Sequence, residues 1–169
     1  MTTYTVNNGA SLYGGGIPWI SGTTRYDSVV VLSGGTVYNE NVLPGGKITI
    51  NSGGTLSNTT INSGAIAVFS AGANESYVTL DGGTISAYNS PPYLSWGSNG
   101  GTLILESGAV DTSEVPTAGN ANIIVNSGAT LSSSTLLSGN TITVNSGGTL
   151  SNTTINSGAI AVFSAGANE

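Results

Sequence analysis

Apolar residues in this chain come in pairs separated by one residue. The pairs are Tyr4/Val6, Val29/Val31, Ile48/Ile50, Val78/Leu80, Leu103/Leu105, Ile123/Val125 and Ile142/Val144, each lying five and three residues before a glycine. Thr5, Thr49, Thr79 and Thr143 stand between the members of their pairs. Alternation with a period of two predicts a short strand with one buried face. Asn-Ser-Gly or a close relative then follows, which is a turn signal. No stretch keeps a 3.6-residue period, so almost no helix is expected.

These strand-turn units repeat. Asn51–Glu75 and Asn145–Glu169 both read NSGGTLSNTTINSGAIAVFSAGANE, an offset of 94. Beneath that offset lies a finer period. Gly15, Gly34, Gly53 and Gly72 are 19 apart, as are Gly128, Gly147 and Gly166. A second series interleaves at Gly45 and Gly64, and at Gly139 and Gly158, so the spacing alternates between 11 and 8. Five such units would give an offset of 95, so one residue is lost between the copies. A strand, a turn, another strand and closure after one such period describe one rung of a parallel β-solenoid. One rung cannot bury its own apolar face, but stacked rungs bury each other's. A meandering antiparallel sandwich would not hold so regular a spacing. The fold class is therefore all-β, a β-solenoid with rungs of about 19 residues, eight to nine of them across the 169 residues.

Composition narrows the chemistry. Gly, Ser, Thr and Asn number 26, 24, 22 and 18, together more than half the chain. There is no His and no Cys, which removes zinc sites of ordinary type, nucleophile pairs built on His, and disulfides. Arg25 and Lys47 are the only cations against eight acids, so no electrostatic footprint for nucleic acid or an anionic membrane is present. No apolar run approaches the ~20 residues of a membrane helix, so no membrane insertion of this chain is expected. Disorder is disfavoured because 38% of the residues are apolar and only 6% charged. Met1 leads directly into Thr2-Thr3-Tyr4, so an export signal is expected to lie outside this chain or to have been removed.

The lattice is regular over about 29–82 and 120–169. Residues 1–28, with Gly14-Gly15-Gly16, Pro18, Trp19 and Tyr26, read as an N-terminal cap or a degenerate first rung. Residues 29–169 form the solenoid, with an irregular aromatic and proline insertion near 86–100. The insertion contains Tyr88, Pro91, Pro92, Tyr93 and Trp96, and Val115-Pro116 marks a second disturbance. Glu169 is the counterpart of Glu75, after which the first copy continues into a strand. The expectation is a fragment of a longer repetitive protein, or a unit whose open end meets another chain.

Several features could carry chemistry. The acids are Asp27, Glu40, Glu75, Asp81, Glu106, Asp111, Glu114 and Glu169. Two carboxylates can hydrolyse glycosides when held about 5–10 Å apart. These are out of phase with one another and read as solvated surface charges. Calcium-binding repeats need a recurring Asp that Ser52-Gly53-Gly54-Thr55 lacks, so no metal or cofactor site is expected. Ice binding would need Thr-x-Thr on nearly every rung, and Lys47 breaks the series that Thr141-x-Thr143 suggests. The candidate binding residues are Tyr88, Tyr93 and Trp96, aromatics able to stack on sugars or grip a partner, or else to pack back on the solenoid.

VNSGGTLSNTTINSGA, residues 144–159, resembles the 19-residue repeats of autotransporter adhesin passenger regions of the diffuse-adherence and self-associating type. YTVNNGASLYGGG from Tyr4 and YDSVVVLSGGTV from Tyr26 are similar to the start of bacterial surface proteins made of such repeats. The resemblance covers the chain except about 84–120. It implies a right-handed parallel β-helix at the bacterial cell surface or outside the cell. It also implies adhesion, autoaggregation or biofilm scaffolding, with sugars on Ser or Thr in some relatives. The expected function is a non-enzymatic surface adhesin or structural fibre segment. Its partners would be other copies, through self-association or end-to-end stacking, and host or bacterial surface glycans or proteins. A self-assembling filament or surface-layer subunit is one alternative; a polysaccharide-cleaving β-helix is another.

Overall fold

The computed structural model describes residues 3–13, 20–21, 24–25, 28–89, 94–112, 116 and 119–169. Among them there is no helix. The longest sheet has nine strands. They are Thr3–Val6, Ser28–Val31, Lys47–Ile50, Ile66–Phe69, Thr84–Ala87, Gly101–Leu105, Ala121–Val125, Thr141–Val144 and Ile160–Phe163. Every neighbouring pair in it is parallel. The chain thus returns to the same sheet once per rung, which defines a parallel β-solenoid.

The strand register shows where the period slips. Ser28, Lys47, Ile66, Thr84, Thr102, Asn122, Thr141 and Ile160 stand in one column, at steps of 19, 19, 18, 18, 20, 19 and 19 along the chain. Lys47 and Thr141 are five steps apart, so the offset between the identical copies is five whole rungs. Two short rungs and one long one account for the residue missing from a strict 19-residue period. The first step, from Thr3 to Ser28, is longer than any of these. The residue in register with Gly34 is therefore Gly9, whose N–H donates to the Gly34 carbonyl at 3.1 Å, and not Gly15 as the 19-residue series predicts. Gly15 itself lies outside the described residues.

Two shorter faces complete each regular rung. The second face holds Ser11–Tyr13, Thr36–Tyr38, Thr55–Ser57 and Asn74–Ser76 in parallel. It resumes with Val110–Asp111, Thr130–Ser132 and Thr149–Ser151. The third holds Ile20–Ser21, Asn41–Val42, Thr60–Asn62, Val78–Asp81 and Leu94–Trp96. It resumes with Thr135–Leu136 and Thr154–Ile155. Ile20–Ser21 also meets Thr24–Arg25 antiparallel. Among the described residues, the rung that starts at Thr84 has no second-face strand, and the rung that starts at Gly101 has no third-face strand. The long sheet runs through both interruptions, with Ala87 paired to Leu105 and Leu105 to Val125.

Inside, the predicted pairs stack. Val29/Val31, Ile48/Ile50, Leu103/Leu105, Ile123/Val125 and Ile142/Val144 are all fully buried on the long sheet. At the end of the stack Val6 is buried, whereas Tyr4 is 38% exposed. Val78/Leu80 is buried as predicted, but on the third face, where Leu80 stacks on Ile61. The long-sheet pairs at that level are Ala67/Phe69 and Ile85/Ala87.

The corners explain the glycines. Gly34, Gly53 and Gly72 follow long-sheet strands with φ of 74°, 75° and 77°, a region where a Cβ is penalised. Their backbones form a ladder, Gly34 N–H to Gly53 O at 2.9 Å and Gly53 N–H to Gly72 O at 2.7 Å. Among the described residues, the corner between the second and third faces uses no glycine. Asn39, Asn58, Tyr77, Ser133 and Asn152 take positive φ there. Asn tolerates this conformation because its side chain bonds locally. Here the Asn58 amide also donates to the Asn39 side-chain oxygen of the next rung.

Candidate functional surface

A long continuous surface is formed by the outer side of the nine-stranded sheet. One outward column reads Thr3, Ser28, Lys47, Ile66, Thr84, Thr102, Asn122, Thr141 and Ile160. The column beside it reads Thr5, Val30, Thr49, Val68, Ser86, Ile104, Ile124, Thr143 and Val162. None of these residues is buried. With strands about 4.8 Å apart, the columns extend for roughly 40 Å. Lys47 is their only charge. The remaining positions are Thr, Ser, Val, Ile and one Asn, so the face is a lattice of methyl and hydroxyl groups.

At one edge of this face the polar side chains are ordered by hydrogen bonds. The Ser86 hydroxyl donates to Glu106 Oε1 at 2.8 Å, and Asn126 Nδ2 donates to Glu106 Oε2 at 2.8 Å. Asn145 Nδ2 donates in turn to Asn126 Oδ1 at 2.8 Å. An ionised carboxylate can only accept, so Glu106 orients the asparagine amides beyond it.

Three of the acids do not fit the reading of solvated charges. Glu40, Glu75 and Asp111 are only 3%, 8% and 2% exposed. Glu40 stands in an inward column with Thr59 and Val78, in rungs joined by backbone bonds (Thr60 N–H to Glu40 O, 2.9 Å; Thr79 N–H to Thr59 O, 2.8 Å). Glu40 Oε1 has no hydrogen-bond partner. Burial pushes its carboxyl up from 4.5 to about 7. Glu75 is in register with Leu56, and Asp111 with Leu131, so both occupy the inward place of the second face. They are two short rungs apart and flank the rung that lacks a second-face strand. They are thus in phase, contrary to the sequence reading, which assumed a strict 19-residue period. Asp81 is bound by Asn99, whose N–H and Nδ2 donate to its two oxygens at 2.9 and 3.0 Å. Asp27 and Glu114 lie outside the described residues. Among the described residues, no group of three or more acids could hold a metal ion.

The aromatic candidates separate. Tyr88 follows Thr84–Ala87 on the long sheet, is 44% exposed, and its N–H donates to Phe69 O at 2.9 Å. Trp96 ends a third-face strand, in register with Leu80, and packs partly buried against the aliphatic core. Tyr93 lies outside the described residues. Tyr77 was missed by sequence reasoning; it is 69% exposed at the asparagine corner. It stands one full period after Asn58 and two after Asn39, and that phase was the available signal.

These features define a parallel β-solenoid with a long, nearly uncharged outer sheet. No family model matches the chain, and no curated protein matches it. Among solved structures it is similar to a TibC-catalyzed hyper-glycosylated TibA55-350 fragment, with 20% identity over 99% of this chain and 80% of that one, at a TM-score of 0.43.

Proposed function

We propose that the chain is a non-enzymatic adhesive or structural segment that acts at the bacterial surface or outside the cell. The observation that carries this reading is the outer face of the nine-stranded sheet, 18 outward positions with one charge, Lys47. Such a face offers many weak, similar contacts whose strengths combine by multivalency. The repeat text that resembles autotransporter adhesins supports the same reading. So do the acids of the interior, since Glu40, Glu75 and Asp111 face inward rather than toward a polymer on the outside. The partners proposed are other copies of the chain, in side-by-side or end-to-end contact, and surface glycans.

Displaying the chain on a non-adherent bacterium tests the reading. Faster settling of the cells, or retention on glycan-coated surfaces, is expected relative to the same display scaffold alone. No change in either sinks it. New reducing ends released from bacterial or plant polysaccharides would instead favour a cleaving enzyme.

A further inference from the structure

A third outward column runs beside the two on the nine-stranded sheet, one residue past the strand ends. It includes Ser70, Tyr88, Glu106, Asn126 and Asn145, whose N–H groups donate to carbonyls of the preceding rung at 2.9–3.0 Å. Phe69, Ala87, Leu105, Val125 and Val144 precede them and are fully buried, so alternation turns this column outward. Tyr88, 44% exposed, is followed on the next three rungs by one carboxylate and two amides. With strands ~4.8 Å apart, the four side chains span roughly 14 Å. The chain is tied on both sides of the tyrosine: its own N–H donates to Phe69 O, and Asn89 Nδ2 donates to Ala73 O at 3.0 Å. Glu106 is held by Ser86 and Asn126, and Asn126 by Asn145, each bond at 2.8 Å. An ionised carboxylate has about four lone-pair sites, and these bonds use one on each oxygen of Glu106. Each oxygen can therefore accept one more hydroxyl.

We infer that Tyr88, Glu106, Asn126 and Asn145 form a binding site for a neutral polysaccharide. The C–H face of one sugar ring lies on the electron-rich face of Tyr88. Its hydroxyls donate to Glu106 on the next rung. The ring that follows meets the amides of Asn126 and Asn145, which both donate and accept. A few fixed polar groups beside an apolar platform set the orientation of such a ligand. Charge selects the class of polymer. Glu106 is the acid of this column and the chain carries a net charge of −6, so a polymer of acidic sugars is repelled. One carboxylate suits holding a sugar, whereas hydrolysis calls for two held about 5–10 Å apart. The site names the ligand class for the glycan contact of the proposed function and rests on that part of the reading; self-association does not enter it.

The test is electrophoresis of the purified chain through native gels containing dextran, mannan, galactan, xylan or polygalacturonate. At least one of the four neutral polymers is expected to slow the chain, and polygalacturonate is not. Tyr88→Ala is expected to weaken binding by about tenfold or more, as loss of a central aromatic contact does. Glu106→Gln is expected to do the same, because its new amide would face the Asn126 amide donor for donor. Both positions are on the outside, so both variants are expected to keep the parent's circular dichroism spectrum. Tyr77→Asn, on another part of the surface, is expected to bind like the parent. No retardation by any neutral polymer overturns the inference. So does retardation that survives Tyr88→Ala, that is lost equally in Tyr77→Asn, or that polygalacturonate produces as strongly. Cells displaying the chain that stay on glycan-coated surfaces despite Tyr88→Ala would remove this site and leave the adhesive reading standing. Retardation in the gel without settling or retention of such cells would do the reverse.

Discussion

At the scale of single residues, positive φ sorts the corners into two chemistries. At Gly53 the neighbouring rung crowds in: a Cβ there would lie 2.6 Å from the Ser33 hydroxyl oxygen. Asparagine serves where the side chain has room and a partner. Tyr77, with φ of 55°, is neither glycine nor asparagine. A bulky residue in the left-handed region costs about 1–2 kcal/mol, and Asn is the residue that its column uses. Tyr77→Asn is therefore expected to raise stability by about 1 kcal/mol, seen as a higher urea midpoint at unchanged slope. A lower midpoint would mean that Tyr77 makes contacts worth more than its backbone costs. Glu40 gives a second prediction. Its folded pKa, about 7, is above the ordinary 4.5, so the folded state holds a proton that the unfolded chain releases. The stability this proton lends is fully present below about 4.5, declines as pH rises, and is lost above about 7. Glu40→Gln should leave stability near pH 4 little changed and raise it at pH 8, by up to about 3 kcal/mol. Thermal midpoints of both proteins across that range check it, and equal pH dependence would refute it.

At the scale of elements, the long sheet was the most legible part of the sequence because each of its strands is long enough to show alternation. Ile48-Thr49-Ile50 and Ile142-Thr143-Val144 each present two inward residues around a polar one. The other faces offered less. Asn41–Val42 and Thr135–Leu136 are two-residue strands with one inward side chain each, too short for any period to register. The binding candidates were chosen for their chemistry and local irregularity, and that could not tell Trp96, held against the core, from Tyr88, which faces out. The duplicated sequence offers an element-scale prediction with its own control. Phe69 and Phe163 share their flanking residues, yet one is fully buried and the other 40% exposed. Phe69→Ala is expected to cost about 3–5 kcal/mol, the usual loss for a core aromatic. Phe163→Ala should cost less than half as much. Denaturant midpoints of the two variants measure the difference, and equal losses would show that the terminal strand is covered in solution.

At the scale of the whole molecule, each rung touches only its neighbours, so stability is close to a sum of rung terms and nearest-neighbour interfaces. Whole rungs can then be removed where a fraction of one cannot. Deleting Asn51–Phe69 takes out one full turn of the chain. Ile50 then leads into Ser70, as Phe69 does now, and Lys47–Ile50 comes to lie beneath Thr84–Ala87. The apolar pair Ile48/Ile50 meets Ile85/Ala87, and Val37 meets Glu75 where Leu56 stood. Two of the corners keep their phase, because Asn39 falls into register with Tyr77 and Gly34 with Gly72. The shortened chain is expected to keep a strand-type circular dichroism spectrum and a cooperative transition, at a lower midpoint. Deleting residues 51–60 removes about half a turn instead. Corner glycines would then enter strands, and the inward column of one face would be turned toward solvent. That variant is expected to lose the cooperative transition. Equal tolerance of both deletions would mean that rung phase does not hold this fold together.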